Sequence, residues 1–111
     1  VALSDDLGAV KTLVTSSWAN NGGAPARDAG GLRVEISDPA AVTFNLVGAC
    51  AKVAAGDVVR LRAMLDAIRD ANQPDGLVGF DGAPGRTRGQ MVSMLASLIA
   101  SSVAHGLAKK G

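Results

Sequence analysis

Leu3, Leu7, Val10, Val14 and Trp18 fall at helical spacing and line one face of a helix predicted from Ser4 to Asn20. Ser4 can cap its start, and Asp5 and Asp6 suit the positive end of the helix dipole. Asn20-Asn21-Gly22-Gly23 ends it, because Asn and Gly accept the left-handed conformation of a helix C-terminus. A Gly-rich connection over 21–37 follows, and in it Leu32, Val34 and Ile36 alternate with Arg33 and Glu35. This period of two predicts a short extended segment. A lone strand is unstable, so it must pair, with Gly76-Leu77-Val78-Gly79 as one candidate, or lie across the helices.

The pattern then returns to a helical period. Asp38-Pro39 offers an N-cap and a first helical residue for a second helix predicted to reach Ala55. Val42, Leu46, Ala49, Cys50 and Val53 form one stripe, and Phe44, Val47 and Ala51 another. A helix apolar nearly all round is expected to be the central one. Gly48 and the alanines near it would let a neighbouring helix come close. Asn45, inside this stretch, needs buried partners, for which the backbone of loop 21–31 or of loop 79–86 is available. Gly56 ends this helix and Asp57 caps a third, over 57–72, with Val58, Leu61, Leu65 and Ile68 as its stripe and Arg62 and Asp66 as a surface pair. After a turn at Asn72–Gly76, Thr87-Arg88-Gly89-Gln90 fits the capping box of a last helix. That helix has Met91, Val92, Leu95, Leu98, Ile99 and Val103 as its apolar face and closes on Lys109 and Lys110. The pattern predicts a mainly α fold: a single, compact four-helix domain over residues 1–111, arranged around the second helix, with one short extended segment.

Composition sharpens this picture. Among 111 residues there are one Trp, two Phe and no Tyr, so the core must be built from Leu, Val, Ile, Met and Ala, which favours closely packed helices. Eleven basic and ten acidic residues leave a formal charge of +1, which offers no global attraction to nucleic acid or anionic lipid. No apolar run is long enough to span a membrane. The opening VALSDDLGAV lacks the basic-then-apolar pattern of a signal peptide, so a cytoplasmic protein is expected. Cys50 is the only cysteine and His105 the only histidine, which excludes an internal disulfide and a thiolate zinc site. On the apolar stripe Cys50 reads as a small core hydrophobe, and His105 as a solvated residue near a helix end.

The candidate chemistry gathers in FDGAPGRTRGQ, residues 80–90. Its glycines give backbone freedom, and Arg86 and Arg88 flank a helix start, where free amides and guanidinium groups can hold a phosphate or carboxylate. The spacing matches neither phosphate-loop pattern, and the capping box accounts for Thr87 and Gln90 without a ligand. Asp81 is expected to bond backbone amides or Arg86. The structural reading of the loop is therefore preferred, with a weak anion or partner site at Arg86, Arg88, Asp81, Thr87 and Arg27. No catalytic residue, metal ligand or cofactor is assigned.

Trp18, Arg27-Asp28-Ala29-Gly30, Leu46-Val47-Gly48-Ala49 and Phe80-Asp81-Gly82-Ala83-Pro84-Gly85-Arg86-Thr87 together resemble a small family of uncharacterised helical domains from actinobacteria, other high-GC bacteria and their phages. The likeness spans roughly residues 10–100. That family shows a Trp near the end of its first helix, a Cys-x-x-Gly-Ala helix and a Trp-Asn-Asp-x-Pro-Gly-Arg-Thr loop. Here Phe80 stands for the Trp, Asp81-Gly82 for Asn-Asp, and Asn45 for the cysteine. The resemblance implies a compact helical domain in a phage or mobile-element setting, and no activity. The function expected is a small non-enzymatic protein-interaction module, phage- or prophage-encoded, with its contact surface at loops 21–31 and 79–88. A nucleic-acid-binding accessory protein using Arg86, Arg88 and Arg27 is the rival, and an enzyme with Asp81 and Asn45 facing one pocket the third reading. A protein partner is favoured over nucleic acid, no membrane is expected, and a homo-oligomer stays open.

Overall fold

Leu7, Val10 and Val14 are wholly excluded from solvent, and the molecule is organised around the helix that carries them. A computed structural model describes residues 3–18, 25–72 and 86–110, with side chains as far as Ser101. Among these residues the order is α1 (Leu3–Ser17), β1 (Ala26–Arg27), β2 (Thr43–Phe44), α2 (Leu46–Ala54), α3 (Val58–Ala71) and α4 (Arg88–Lys110). The fold is mainly α, four helices with one very short extended unit. Residues 1–2, 19–24, 73–85 and 111 lie outside the description. With them lie the expected helix end at Asn20–Gly23 and the expected strand partner at Gly76–Gly79.

The central helix is α1, not α2. It packs most extensively on α4, and also on α2, α3 and β2. The reason is length. The second helix has only nine residues, against fifteen in α1, so at about 1.5 Å per residue it is too short to be a spine. It begins at Leu46 with Asn45 as N-cap, and not at Pro39. Asp38 caps a turn of its own: its carboxylate accepts from Ala40 N–H at 2.8 Å and its carbonyl from Ala41 N–H at 3.0 Å. The β-branched and aromatic run Val42-Thr43-Phe44 then goes to an extended strand.

That strand pairs antiparallel with β1, Phe44 opposite Ala26 and Thr43 opposite Arg27. Single bridges extend the unit on both sides, Trp18 beside Phe44 and Arg33 opposite Arg27. The segment 32–36 is thus not the regular strand expected, although its alternation holds. Val34 and Ile36 pack on the core while Leu32, Arg33 and Glu35 are exposed. Trp18, Ala26 and Phe44 belong to the same buried cluster as Leu46, Ala49, Cys50, Met64, Ile68, Met91 and Leu95.

Three further expectations change. Val58 does not join the stripe of α3: it is 74% exposed, and Met64 takes the buried place between Leu61, Leu65 and Ile68. Asp66 pairs with Arg69 at 3.2 Å, and not with Arg62. Ser4 lies inside α1 instead of capping it, one residue beyond the first helical position. The caps at Asp57 and at the end of α2 are as the sequence indicates. Asp57 accepts from Val59 and Arg60 N–H at 3.0 and 3.2 Å. α2 ends on Ala55 at φ 51° and Gly56 at φ 90°, two successive left-handed residues of which only the glycine adopts that conformation without strain.

Candidate interaction surface

Residues 25–45 form a folded unit clamped onto α2. Pro25 carbonyl accepts from Asn45 N–H at 3.2 Å. Asn45 is buried, and its side-chain oxygen accepts from Gly48 N–H at 2.7 Å, which caps the helix. The side chain therefore caps its own helix and, among the described residues, bonds neither loop that the sequence offered; only the main-chain N–H of Asn45 reaches the neighbouring loop, at Pro25. Gly48 lies against Pro25: a Cβ placed there would overlap the Pro25 carbonyl. The close approach that Gly48 permits is thus to a loop, not to a second helix.

Asp28 organises the turn that follows. Its carboxylate accepts from Gly30 and Leu32 N–H at 3.0 and 2.9 Å, and its own N–H donates to Leu32 carbonyl at 2.9 Å. Gly31 holds φ 85° there, a conformation that favours glycine. Arg27 Nη1 closes the turn by donating to Gly31 carbonyl at 2.7 Å. Val42 N–H donates to Arg27 carbonyl at 2.9 Å, so Leu32 and Val42 flank β1 on opposite sides. These two are 70% and 46% exposed, apolar side chains held in solvent by a hydrogen-bonded loop.

The start of α4 adjoins this unit through Trp18. Arg88 Nη2 donates to Trp18 carbonyl at 3.2 Å, and Trp18 bridges to Phe44 of β2. The capping box is closed in both directions: Gln90 N–H donates to Thr87 Oγ1 at 3.2 Å, and Thr87 N–H to Gln90 Oε1 at 3.0 Å. The Thr87 hydroxyl therefore occupies the place at the helix start where an anion would be held. Arg88, expected to be partly free, is a tie between α1 and α4. Arg86 is half-buried and also has an interaction partner. Asp81 and the rest of 80–85 lie outside the described residues, as does the side chain of His105. Of the five residues singled out from the sequence, Arg27 and Arg88 thus both sit around the Trp18–Phe44–Ala26 junction, with Thr87 next to Arg88 in the cap.

One buried charge pair was not anticipated. Arg60 grips Asp6 with both nitrogens, Nη2 to Oδ1 at 2.7 Å and Nε to Oδ2 at 3.1 Å, while Asp6 is only 4% exposed. These hydrogen bonds hold the Asp6 carboxyl below the usual carboxylate value, against burial that pushes it up, and Arg60 is raised in turn. The signal was in the sequence. Asp6 stands three residues after Leu3 and four before Val10, so it shares the buried face of α1. Joining α1 to α3 across the core, the pair is structural.

Among the described residues no three of His, Cys, Asp and Glu come together, and Cys50 is fully buried. No helix there is long and apolar enough to cross a membrane. No family model matches the chain, and no curated protein or solved structure matches it either.

Proposed function

We propose that this chain is a small, non-enzymatic protein-interaction module acting in the cytoplasm, whose contact surface is the loop unit 25–33 with Val42 and the adjoining start of α4. The observation that carries the reading is the exposure of Leu32 and Val42 on a loop that the Asp28, Arg27 and Asn45 hydrogen bonds make rigid. Folding gains nothing from holding two apolar side chains in water, whereas a binding surface on a rigid scaffold does. A phage or prophage origin agrees with the resemblance of the sequence motifs.

Nucleic-acid binding is less well supported. Arg27 and Arg88 each commit a donor to a backbone carbonyl, and the formal charge is only +1. Asn45, the residue suggested for an enzymatic pocket, uses its side-chain oxygen as a helix cap. The test is affinity capture from a host lysate with the wild-type chain and with Leu32→Ser/Val42→Ser, followed by titration of purified partner. One saturable protein partner, lost with the double variant while the fold is kept, is the expected result. Binding of short DNA, with affinity falling steeply between 50 and 200 mM salt on the order expected for several phosphate contacts, would favour the rival instead.

A further inference from the structure

Among the described residues, the segment Leu32-Arg33-Val34-Glu35 leaves one edge of the small sheet open. Asp28 N–H donates to Leu32 carbonyl, and Val34 N–H donates to Ala26 carbonyl at 3.2 Å, so residues 32 and 34 face β1. The amide and carbonyl of Arg33 and the amide of Glu35 therefore point the other way. Among the described residues none of these three groups has an intramolecular partner. Glu35 carbonyl accepts from Asp38 N–H at 3.0 Å and keeps one lone pair. Arg33 and Glu35 side chains are exposed, and neither joins an ion pair among the described residues. A groove of about 490 Å³ lies between Pro25 and the run Arg33, Val34, Glu35, Ile36 and Asp38.

We propose that this edge pairs with the same edge of a second copy, antiparallel and centred on Val34. The pattern is self-complementary. Under that register Val34 meets its own counterpart and Arg33 lies opposite Glu35 of the other copy at both ends, while Ile36, in the turn closed by Asp38 N–H, ends the strand. Each copy then supplies what the other lacks: the outward Arg33 and Glu35 amides gain carbonyl acceptors, and two cross-strand ion pairs form. The two-fold relation makes the contact isologous, so it closes at a dimer and does not propagate. Unpaired edges in natural proteins are usually blunted by charge. Here the two charges are of opposite sign and spaced two residues apart, which blocks random pairing and favours this one register. Pairing of three residues per side belongs to the small, transient class of interface, below about 1,200 Å² in total, so dissociation constants on the order of micromolar or weaker are expected. The inference does not depend on the interaction-module reading, whose surface centres on Leu32, Val42 and the start of α4.

Sedimentation velocity from about 10 µM to 1 mM tests it, a range that brackets the expected constants. The wild type should shift from monomer to dimer. Arg33→Glu and Glu35→Arg, each alone, place like charges opposite one another twice and should weaken the dimer roughly tenfold or more. Because both positions are exposed, both variants should keep the wild-type circular dichroism. An equimolar mixture of the two single variants should associate again, and so should Arg33→Glu/Glu35→Arg, since each restores opposite charges across the edge. A wild type that stays monomeric to 1 mM would overturn the proposal and leave the two charges as edge protection. So would a dimer indifferent to the single reversals, which would lie elsewhere on the molecule.

Discussion

Gly48 shows how much one side chain decides. In a helix interior alanine is favoured over glycine by about 1 kcal/mol, so propensity alone says that Gly48→Ala should stabilise. The structure says the opposite, because the new methyl would collide with the Pro25 carbonyl, a backbone atom that cannot swing aside. A loss of about 1–3 kcal/mol in urea unfolding is expected, the usual range for overpacking. An unchanged or raised midpoint would show that the loop does not lie against α2. Asp6 makes a second residue-scale case. Its folded carboxyl is held below the unfolded value, so the stability it contributes is present above the unfolded value, about 3.9, and is lost as pH falls through the folded one. The stability gap between wild type and Asp6→Asn should thus be wide at neutral pH and narrow in acid. A gap constant from neutral pH down to pH 2 would mean that Arg60 does not grip Asp6 in solution. Trp18 is 7% exposed, and its truncation to alanine should cost about 3–5 kcal/mol. Native fluorescence of a water-exposed indole would contradict its burial.

At the scale of elements, what was legible followed from local chemistry. The helix caps at Asp57 and Thr87 are fixed by groups within three residues, so spacing alone revealed them. Thr87→Ala should accordingly cost roughly 0.5–2 kcal/mol. Gly89→Ala should be neutral or mildly stabilising, since among the described residues only Thr87 Oγ1 lies within contact of a Cβ there, at 3.9 Å. Severe destabilisation by Gly89→Ala would mean a later helix start. The start of α2 was misread because two caps competed. Asp38-Pro39 is the stronger local signal, but Asp38 serves its own turn, and the pairing of Thr43-Phe44 with Ala26-Arg27 is a contact across sixteen residues that spacing does not reveal. The same holds for Asp6 and Arg60, fifty-four residues apart. Val58 departed from its stripe because it sits at the first position of α3, where the helix emerges from the core.

For the molecule as a whole, the helical class was legible in the apolar periodicity, whereas the central helix was not, since it depended on where α2 began. The candidate surface was half legible. Arg27 and Arg88 were singled out as ligand-binding groups, and they are also the ties that hold the loop unit and join α1 to α4. Leu32 and Val42 were read as ordinary members of a strand and a helix stripe, and their exposure comes from the tertiary clamp. The central claim is that residues 25–45 are a rigid part of the domain, not a linker, and that this rigidity makes them a surface. Amide hydrogen exchange read by NMR tests it most directly. The amides of Asp28, Val34, Val42 and Asn45, each bonded to a backbone carbonyl, should be protected to a degree approaching the buried turns of α1, while the outward amide of Arg33 exchanges quickly in dilute solution. Exchange of all five at the rate of an unstructured chain, beside a protected α1, would contradict the account.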